Sequence, residues 1–352
     1  MKVFLVSNMY PSLEDPLFGV FVKNFKKGLE NYGIDFSIKS VIKGKSKNFY
    51  QKLSNYLAYT KSILFSYYKS DYDLIYIHYL SINSLIFWFI PFKNRSRPIV
   101  VNVHGSDVME ETKFMRFFNL SLLNKSSMVV APSEYFKKEL LLRYNFLNKK
   151  KVFVSPSGGI DPAIFYKKEK RKTSEKLNLG YVSRIDKGKG WSLFLEVIKR
   201  LSDKGVLVNG LLVGEGSQKE ELLAKIKDLR INELIQVKGL VKQSQLINLY
   251  NDMDLFIFPT TRAAESLGLV GIEAMACGLP VIASDIGGPG EYVINGFNGY
   301  KFKPGDVSEL LKKIELYSLQ TNINKEKIRG NAISTATRYE HQKVMENLKL
   351  KL

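Results

Sequence analysis

Short apolar runs alternate along the chain with longer stretches whose apolar residues recur at helical spacing. The runs predict strands at 3–7, 35–41, 74–77, 99–103, 128–131 and 152–155 in the first half, and at 179–183, 207–213, 235–238, 255–259, 280–284 and 300–302 in the second. The amphipathic stretches predict helices at 19–31, 48–69, 81–89, 111–124 and 133–144, then at 192–202, 218–229, 243–251, 267–276 and 307–317. Strands that are apolar at nearly every position are buried on both faces, which is the mark of parallel sheets covered by helices. Two successive sets of such units predict an α/β protein of two doubly wound domains. We expect the first over residues 1–165 and the second over 166–337, with a helix at 338–352 packing back onto the first. The expected hinge lies in 161–176, which carries Pro162 and a basic run without apolar periodicity.

The loop after the first strand reads SNMYPSLEDPLFG. It lacks the G-x-G-x-x-G spacing that lets a helix N-terminus approach a pyrophosphate, so a nicotinamide or flavin oxidoreductase is not expected.

Composition adds one strong constraint. The formal net charge is +19 over 352 residues, with +11 of it in residues 1–165 and +8 in the remainder. Such an excess calls for an anionic partner: a nucleic acid, a membrane surface or a phosphorylated ligand. Basic clusters recur at Lys43/Lys45/Lys47, Arg95/Arg97, Lys149/Lys150/Lys151 and Lys167/Lys168/Lys170/Arg171/Lys172, and no nucleic-acid motif accompanies them. We therefore expect no nucleic acid as partner. The single cysteine, Cys277, excludes an internal disulfide and fits a reducing cytosol. The N-terminus has no signal-peptide pattern, and the apolar stretch 74–92 is interrupted by His78 and Asn83, so it reads as strand plus helix instead of a membrane span.

The candidate chemistry is concentrated after two strands of the second domain. Glu265 and Glu273 stand eight residues apart around Gly268, directly after the run LFIFP. Ligands of open α/β sheets bind at the carboxyl ends of strands, and a helix starting there offers free N–H groups to an anion. Eight residues of helix separate two carboxylates by up to ~12 Å, beyond the roughly 5–9.5 Å of a glycosidase pair. That separation suits two groups that each hold hydroxyls at opposite ends of an extended ligand. Taken alone, the pair reads as solvated helix glutamates, since charged faces are common; the residues around it reverse that reading. Arg184 and Lys189 follow the first strand of the second domain, where a guanidinium and an ammonium can neutralise a diphosphate; Lys187 is a rival for the second role. Gly19 opens the first helix, and Gly287, Gly288 and Glu291 follow another strand, where glycine permits close approach of backbone to phosphate. His104 ends a first-domain strand in the run VHGSD, with Asp107 three residues on. His78 reads as a buried, satisfied residue and His341 as an exposed helix residue. One cysteine and three dispersed histidines make no metal-site pattern, and there is neither a Walker loop nor a G-x-S-x-G elbow.

Together these residues carry a family resemblance. The YPS…DP…G-x-F-V opening (10–22), HGSD (104–107), APSEYFKKEL (131–140), PSGGIDPAIF (156–165), Arg184 with Lys189, LLVGEG (211–216) and the E-x7-E motif leading into EAMACGLPVIASDIGG resemble glycosyltransferases of family 4 across nearly the whole chain. The resemblance implies the GT-B architecture, two Rossmann-like domains facing across a cleft. It implies retaining transfer from a nucleotide-diphosphate sugar, with no cofactor and no bound metal. By position, Glu265 would contact the donor sugar and Glu273 the ribose hydroxyls, while Arg184 and Lys189 would hold the diphosphate. The backbone of Gly268, Leu269 and Val270 would border the phosphates and sugar. His104 would touch the donor sugar, with Asp107 assigned to donor binding beside it, and Gly19 would lie near the diphosphate and the acceptor. Two positions depart from the family pattern: Ser266–Leu267 stands where Gly–Phe is frequent, and Tyr181 where Gly is frequent.

The first domain is expected to choose the acceptor, a glycan or a lipid-linked saccharide. The segment 48–69 reads either as a core-packing helix or as an acceptor or membrane element. With the basic excess, it predicts a cytoplasmic protein attached peripherally to an anionic membrane surface. The competing readings are a nucleotide-sugar epimerase on the same architecture and a non-enzymatic, basic nucleic-acid-binding protein.

Overall fold

The computed structural model describes residues 1–16, 18–91, 97–169 and 175–352. Arg95, Lys170, Arg171 and Lys172 of the basic clusters, and residues 170–174 of the expected hinge, lie outside the described residues. The chain forms two compact units, Met1–Gly158 with His341–Leu352, and Gly159–Glu340.

The first unit contains β1 (Val3–Tyr10), α1 (Val20–Glu30), β2 (Lys39–Lys43), α2 (Phe49–Lys69), β3 (Leu74–His78), α3 (Ser81–Trp88), β4 (Ile99–Asn102), α4 (Ser106–Met109), α5 (Lys113–Lys125), β5 (Met128–Ala131), α6 (Glu134–Arg143) and β6 (Val152–Val154). The strands form one parallel sheet in the order β2-β1-β3-β4-β5-β6. Alternation along β1 sends Phe4 and Val6 into one core and Val3 and Leu5 into the other, and β3 divides Ile75 and Ile77 from Leu74 and Tyr76 in the same way. This two-sided burial is the pattern that the unbroken apolar runs predict.

The second unit contains β7 (Leu177–Val182), α7 (Trp191–Asp203), β8 (Val208–Val213), α8 (Lys219–Asp228), β9 (Ile235–Lys238), α9 (Gln243–Asp252), β10 (Leu255–Phe258), α10 (Leu269–Ala276), β11 (Val281–Ser284), α11 (Gly287–Tyr292), β12 (Gly299–Phe302), α12 (Val307–Ser318) and α13 (Asn322–Ala336). Its parallel sheet runs β12-β11-β10-β7-β8-β9. The order reverses between β7 and β10, which makes their carboxyl ends the topological switch point where ligands of such sheets bind. The two loops that leave those ends carry Arg184, Lys189 and Glu265. The fold is α/β, with two Rossmann-like units of the GT-B type.

Several boundaries differ from expectation for identifiable reasons. The strand expected at 35–41 starts at Lys39, because Asp35 Oδ1 accepts from the Ser37 N–H at 2.7 Å and turns the chain there. The helix expected from 111 starts at Lys113, where Thr112 caps it by accepting from the Met115 N–H. α13 was not expected at all: its buried side are Ile328, Arg329, Ala332, Thr335 and Ala336, a small and polar set with no apolar stripe to read. The division between units falls at Gly158 and Gly159 instead of near 165. Ile160 donates to Tyr339 O, Phe165 packs against Tyr250, and the Lys168 N–H donates to Asn251, so 159–169 belongs to the second unit.

The final helix, α14 (His341–Lys349), packs on the first unit against α1, burying Val344, Met345 and Leu348 beside Val22, Phe25 and Leu29. His341 is not the exposed residue expected. Its Nδ1 lies 2.6 Å from Gly158 O, and since a carbonyl only accepts, Nδ1 carries the proton. Its ring occupies the space a side chain at Gly28 would need.

Candidate active site

The β7–α7 loop is a rigid platform. Tyr181, buried at the end of β7, lies with its hydroxyl 3.2 Å from Lys189 O and 3.4 Å from Arg184 O, so it ties down both ends of the loop that bears the two cations. Gly190, in the left-handed region at φ 79°, starts α7; a Cβ there would fall 1.8 Å from Pro259 O. Gly188 O accepts from the Thr261 N–H at 2.8 Å and from Thr260 Oγ1 at 3.3 Å, joining this loop to the one after β10. Arg184 projects outward, 66% exposed, with Nη1 3.0 Å from Asp186 Oδ2. Asp186 is itself anchored by the Ser217 N–H and hydroxyl, both at 2.9 Å, which holds its carboxyl below the usual range. Lys187 is exposed.

Lys189 points the other way. Its Nζ lies 2.6 Å from Glu265 Oε2, and each side chain is only 11% exposed. Thr260 Oγ1 also reaches Glu265 Oε2, at 3.3 Å, while Oε1 has no partner among the described residues. The backbone under Glu265 is equally fixed: its carbonyl accepts from the Gly288 N–H at 3.0 Å. A Cβ on Gly287 or Gly288 would meet Glu265 O at 2.6 Å or Leu267 Cα at 2.4 Å. These glycines therefore seat the Glu265 loop.

Gly268 caps α10 at φ 72°, and its carbonyl accepts from Tyr292 Oη at 3.0 Å. The helix thus begins at Leu269, two residues later than expected, with the amides of Leu269 and Val270 in the first turn, where N–H groups lack intrahelical acceptors. Glu273, one turn on, is buried among α9 and α10. Gln243 Nε2 donates to its Oε1 at 3.0 Å and Tyr250 Oη to its Oε2 at 3.1 Å, and burial raises its pKa. Each carboxylate oxygen retains a second lone pair for a ligand hydroxyl.

In the first unit, Gly19 caps α1 at φ 68° beneath the end of β1, where a Cβ would lie 2.5 Å from Met9 C. His104 follows β4. Its Nε2 is 3.0 Å from Nδ1 of His78, its ring stacks on Tyr79 at 4.3 Å, and Phe21 closes in at 4.7 Å. Burial holds its pKa down, to about 3, so the ring is neutral. Asp107, expected beside it at the donor, bonds to backbone of its own unit. It is buried, its Oδ1 accepting from the His104 N–H at 2.9 Å and its Oδ2 from the Leu80 N–H at 3.1 Å. Its pKa is pushed up to about 6, by burial above all. It serves as the pin that joins the β3–α3 and β4–α4 turns.

The structure thus brings Lys189 and Glu265 into contact, keeps Arg184 on the adjacent surface and sets Glu273 one turn along α10. Tyr181 and Thr260 were missed as site residues. Tyr181 drew notice only as a departure from a glycine, and nothing local marks Thr260 as a partner of Glu265. Among the described residues, no group of three or more His, Cys, Asp or Glu side chains is placed to hold a metal ion.

The family model described as "Glycosyl transferases group 1" matches residues 163–335, and that described as "Glycosyltransferase Family 4" matches residues 20–163. The capsular polysaccharide biosynthesis glycosyltransferase CapM of Staphylococcus aureus is 30% identical over 234 residues, 62% of this chain and 60% of its own length. Sucrose-phosphate synthase from Thermosynechococcus elongatus superposes with a TM-score of 0.79 at 16% identity, covering 100% of this chain and 98% of that one. Anabaena Alr3699/HepE, solved in complex with UDP-glucose, superposes with a TM-score of 0.76 at 19% identity, covering 100% and 99%. Two family models spanning residues 20–335, and the GT-B fold itself, make this chain a member of the family 4 glycosyltransferases.

Proposed function

We propose that the protein transfers a hexosyl group from a UDP- or GDP-sugar to a growing, lipid-linked glycan in the synthesis of a surface polysaccharide, with retention at the anomeric carbon. The observation that carries the reading is the largely shielded Lys189–Glu265 pair at the switch point, beside the start of α10. The nucleotide-sugar in the HepE complex and the capsular role in the name of CapM support it.

In this reading the donor's ribose hydroxyls bind Glu273, and a sugar hydroxyl donates to the free Oε1 of Glu265. As the sugar–phosphate bond breaks, negative charge grows on the leaving diphosphate. Arg184, Lys189 and the first amides of α10 stabilise that charge, since fixed donors aimed at a developing charge need no reorganisation when it appears. No metal is required for that step. Lys189 meets the diphosphate while still bonded to Glu265, so one ammonium links the leaving group to the carboxylate beside the sugar. His104, neutral and oriented by its neighbours, contacts the donor sugar.

The basic first unit supports peripheral attachment to an anionic cytoplasmic leaflet, where lipid-linked saccharides are reached. No helix among the described residues is long and apolar enough to cross a membrane. α2 has no acidic residue, and Phe49, Tyr50 and Phe65 on it are 72%, 82% and 68% exposed.

The test is a screen of UDP-, GDP- and ADP-sugars by thermal shift, followed by mass analysis of a lipid-linked acceptor pool incubated with the stabilising donor. An acceptor one hexose heavier, an axial or equatorial anomer matching that of the donor, and a rate unchanged by EDTA are expected. An isomerised sugar nucleotide formed without acceptor, or no stabilisation by any donor, overturns the reading. Flotation with phosphatidylglycerol vesicles that is absent at low salt removes the membrane part of it.

A further inference from the structure

Arg184 is exposed, and among the described residues Asp186 is the one carboxylate within 4 Å of it. A surface ion pair of this kind contributes little by itself, because two free side chains must be ordered to make it. Here one partner is ordered in advance. Asp186 Oδ1 accepts from the Ser217 N–H and from Ser217 Oγ, both at 2.9 Å, and Oδ2 is the oxygen that meets Arg184 Nη1 at 3.0 Å. The Asp186 carbonyl accepts from the Lys189 N–H at 3.1 Å. Asp186 thus stands between the two cations of the loop, its side chain on Arg184 and its main chain on Lys189.

Ser217 is fixed in turn. It lies in the β8–α8 loop, which is joined to the β7–α7 loop on either side of it. The Ile185 N–H donates to Glu215 O at 3.0 Å, and the Gln218 N–H donates to Ile185 O at 2.9 Å. A Cβ on Gly214 would lie 1.9 Å from Ser183 O, so the two loops meet backbone to backbone. One continuous set of contacts therefore runs from the β8–α8 backbone through Ser217 and Asp186 to the Arg184 guanidinium.

An acid in this place carries a cost. A carboxylate beside an anion site repels the anion, and by Coulomb's law alone its removal would tighten diphosphate binding. The geometry supplies a gain that offsets this. A guanidinium has five N–H donors, so the contact at Nη1 leaves others for phosphate oxygens. Holding one end of the planar fork against a fixed carboxylate sets the direction of the rest, which is what binding two phosphate oxygens at once requires.

We infer that Asp186, held by Ser217, is a positioning residue that sets the Arg184 guanidinium for the diphosphate of the donor. The inference rests on the reading that a nucleoside diphosphate binds at this switch point, and adds what orients its outer cation.

The experiment measures binding of UDP and UMP by calorimetry, with GDP and GMP in their place if wild type binds GDP more tightly. The proteins are full-length wild type, Asp186→Asn, Ser217→Ala, Arg184→Ala, and Arg184→Ala combined with Asp186→Asn, each verified as folded by thermal melting. Asp186→Asn is expected to weaken diphosphate binding about tenfold, and Ser217→Ala, which keeps the backbone donor and lies on an exposed residue, about threefold. The monophosphate should lose less in both variants. In the Arg184→Ala background, Asp186→Asn should change diphosphate affinity by less than about twofold, since a residue that acts through Arg184 then has nothing to position. Unchanged or tighter binding by Asp186→Asn makes Asp186 a solvated acid and overturns the inference. An equal loss with and without Arg184 makes it a brace of the two loops and overturns it as well. Wild-type binding with either of those results removes the inference alone, whereas wild type that binds neither UDP nor GDP removes the donor reading and the inference together.

Discussion

Nδ1 of His78 and Nε2 of His104 lie 3.0 Å apart, so one imidazole donates to the other. A neutral ring has one N–H and one bare nitrogen, and each ring here must therefore hold a defined tautomer. His78 is buried against Phe25 and Tyr76, and its Nε2 has no hydrogen-bond partner among the described residues. The half-satisfied ring corrects the expectation of a fully satisfied one. Its remaining bond sets which nitrogen of His104 bears the proton. The turn that follows is strained: Tyr79 and Ser81 have φ of 69° and 42°, and in this conformation the Tyr79 ring stacks on His104.

Replacing His78 with Phe keeps the ring and removes the bond. We expect loss of about 1–3 kcal/mol of stability and a roughly tenfold rise in donor KM with a smaller change in kcat. His78→Asn, which restores a polar group, should recover part of the KM. Steady-state kinetics with the wild-type donor decide this; an unchanged KM in the Phe variant contradicts it.

Acid should destabilise the first unit through the same pair. Burial holds His104 at about 3 against an ordinary 6.5, and lowers His78 as well, so below pH 6.5 the unfolded chain binds protons that the folded chain refuses. Stability then falls as pH falls, by at most about 1.4 kcal/mol per pH unit for each histidine. Asp107 acts in the opposite sense: its pKa is raised to about 6, so the folded chain holds a proton that the unfolded chain releases. Two histidines outweigh one carboxyl. The Tm should drop between pH 7 and pH 5, and drop less in His78→Phe; differential scanning calorimetry across that range is the check.

Lys189 and Glu265 should behave as one unit. Lys189→Ala leaves a largely shielded carboxylate without its counter-charge, a loss of about 1–3 kcal/mol, and a 10²–10³ fall in kcat. Glu265→Gln should lower kcat comparably. The double variant should be less impaired than the product of the singles, because the second substitution removes the orphaned charge. Single-turnover rates for all three settle the matter; strict additivity would show that the pair is not coupled.

Gly268→Ala places a Cβ 2.4 Å from the Phe258 ring at a φ of 72°. We expect roughly 2–5 kcal/mol of destabilisation and a marked loss of UDP affinity, since the start of α10 must move. Calorimetric UDP binding at a temperature where the variant remains folded separates the two effects.

Truncation after Glu340 removes α14 and uncovers the patch that Val344, Met345 and Leu348 bury on α1. At about 1.5–3 kcal/mol for each buried side chain, the first unit should lose roughly 5–9 kcal/mol, while the second keeps its fold. Limited proteolysis should then cut within residues 1–158 first.

Much of the chain's organisation was legible before any coordinates. Each of the twelve strands among the described residues overlaps a predicted apolar run, β2 least, because a strand buried on both faces leaves an unbroken signature of a few residues. Where local chemistry intervenes, as at Asp35 or Thr112, boundaries shift by a few positions. α13 escaped notice because its buried side is small and polar, and the packing it needs comes from α10, far away in sequence.

The site divides in the same way. Sequence alone determined that Arg184, Lys189 and Glu265 sit between strand ends and helix starts, with Glu273 inside the helix that follows, since strand periodicity and glycine placement are local properties. Only the tertiary structure decided that Lys189 turns to Glu265 while Arg184 faces outward, that Asp107 is a buried pin, and that His78 governs His104. Those relationships join residues 26 to 76 positions apart, and they exist because parallel strands bring distant loops to one edge of a sheet. No spacing rule along the chain encodes which side chain a neighbouring loop will present.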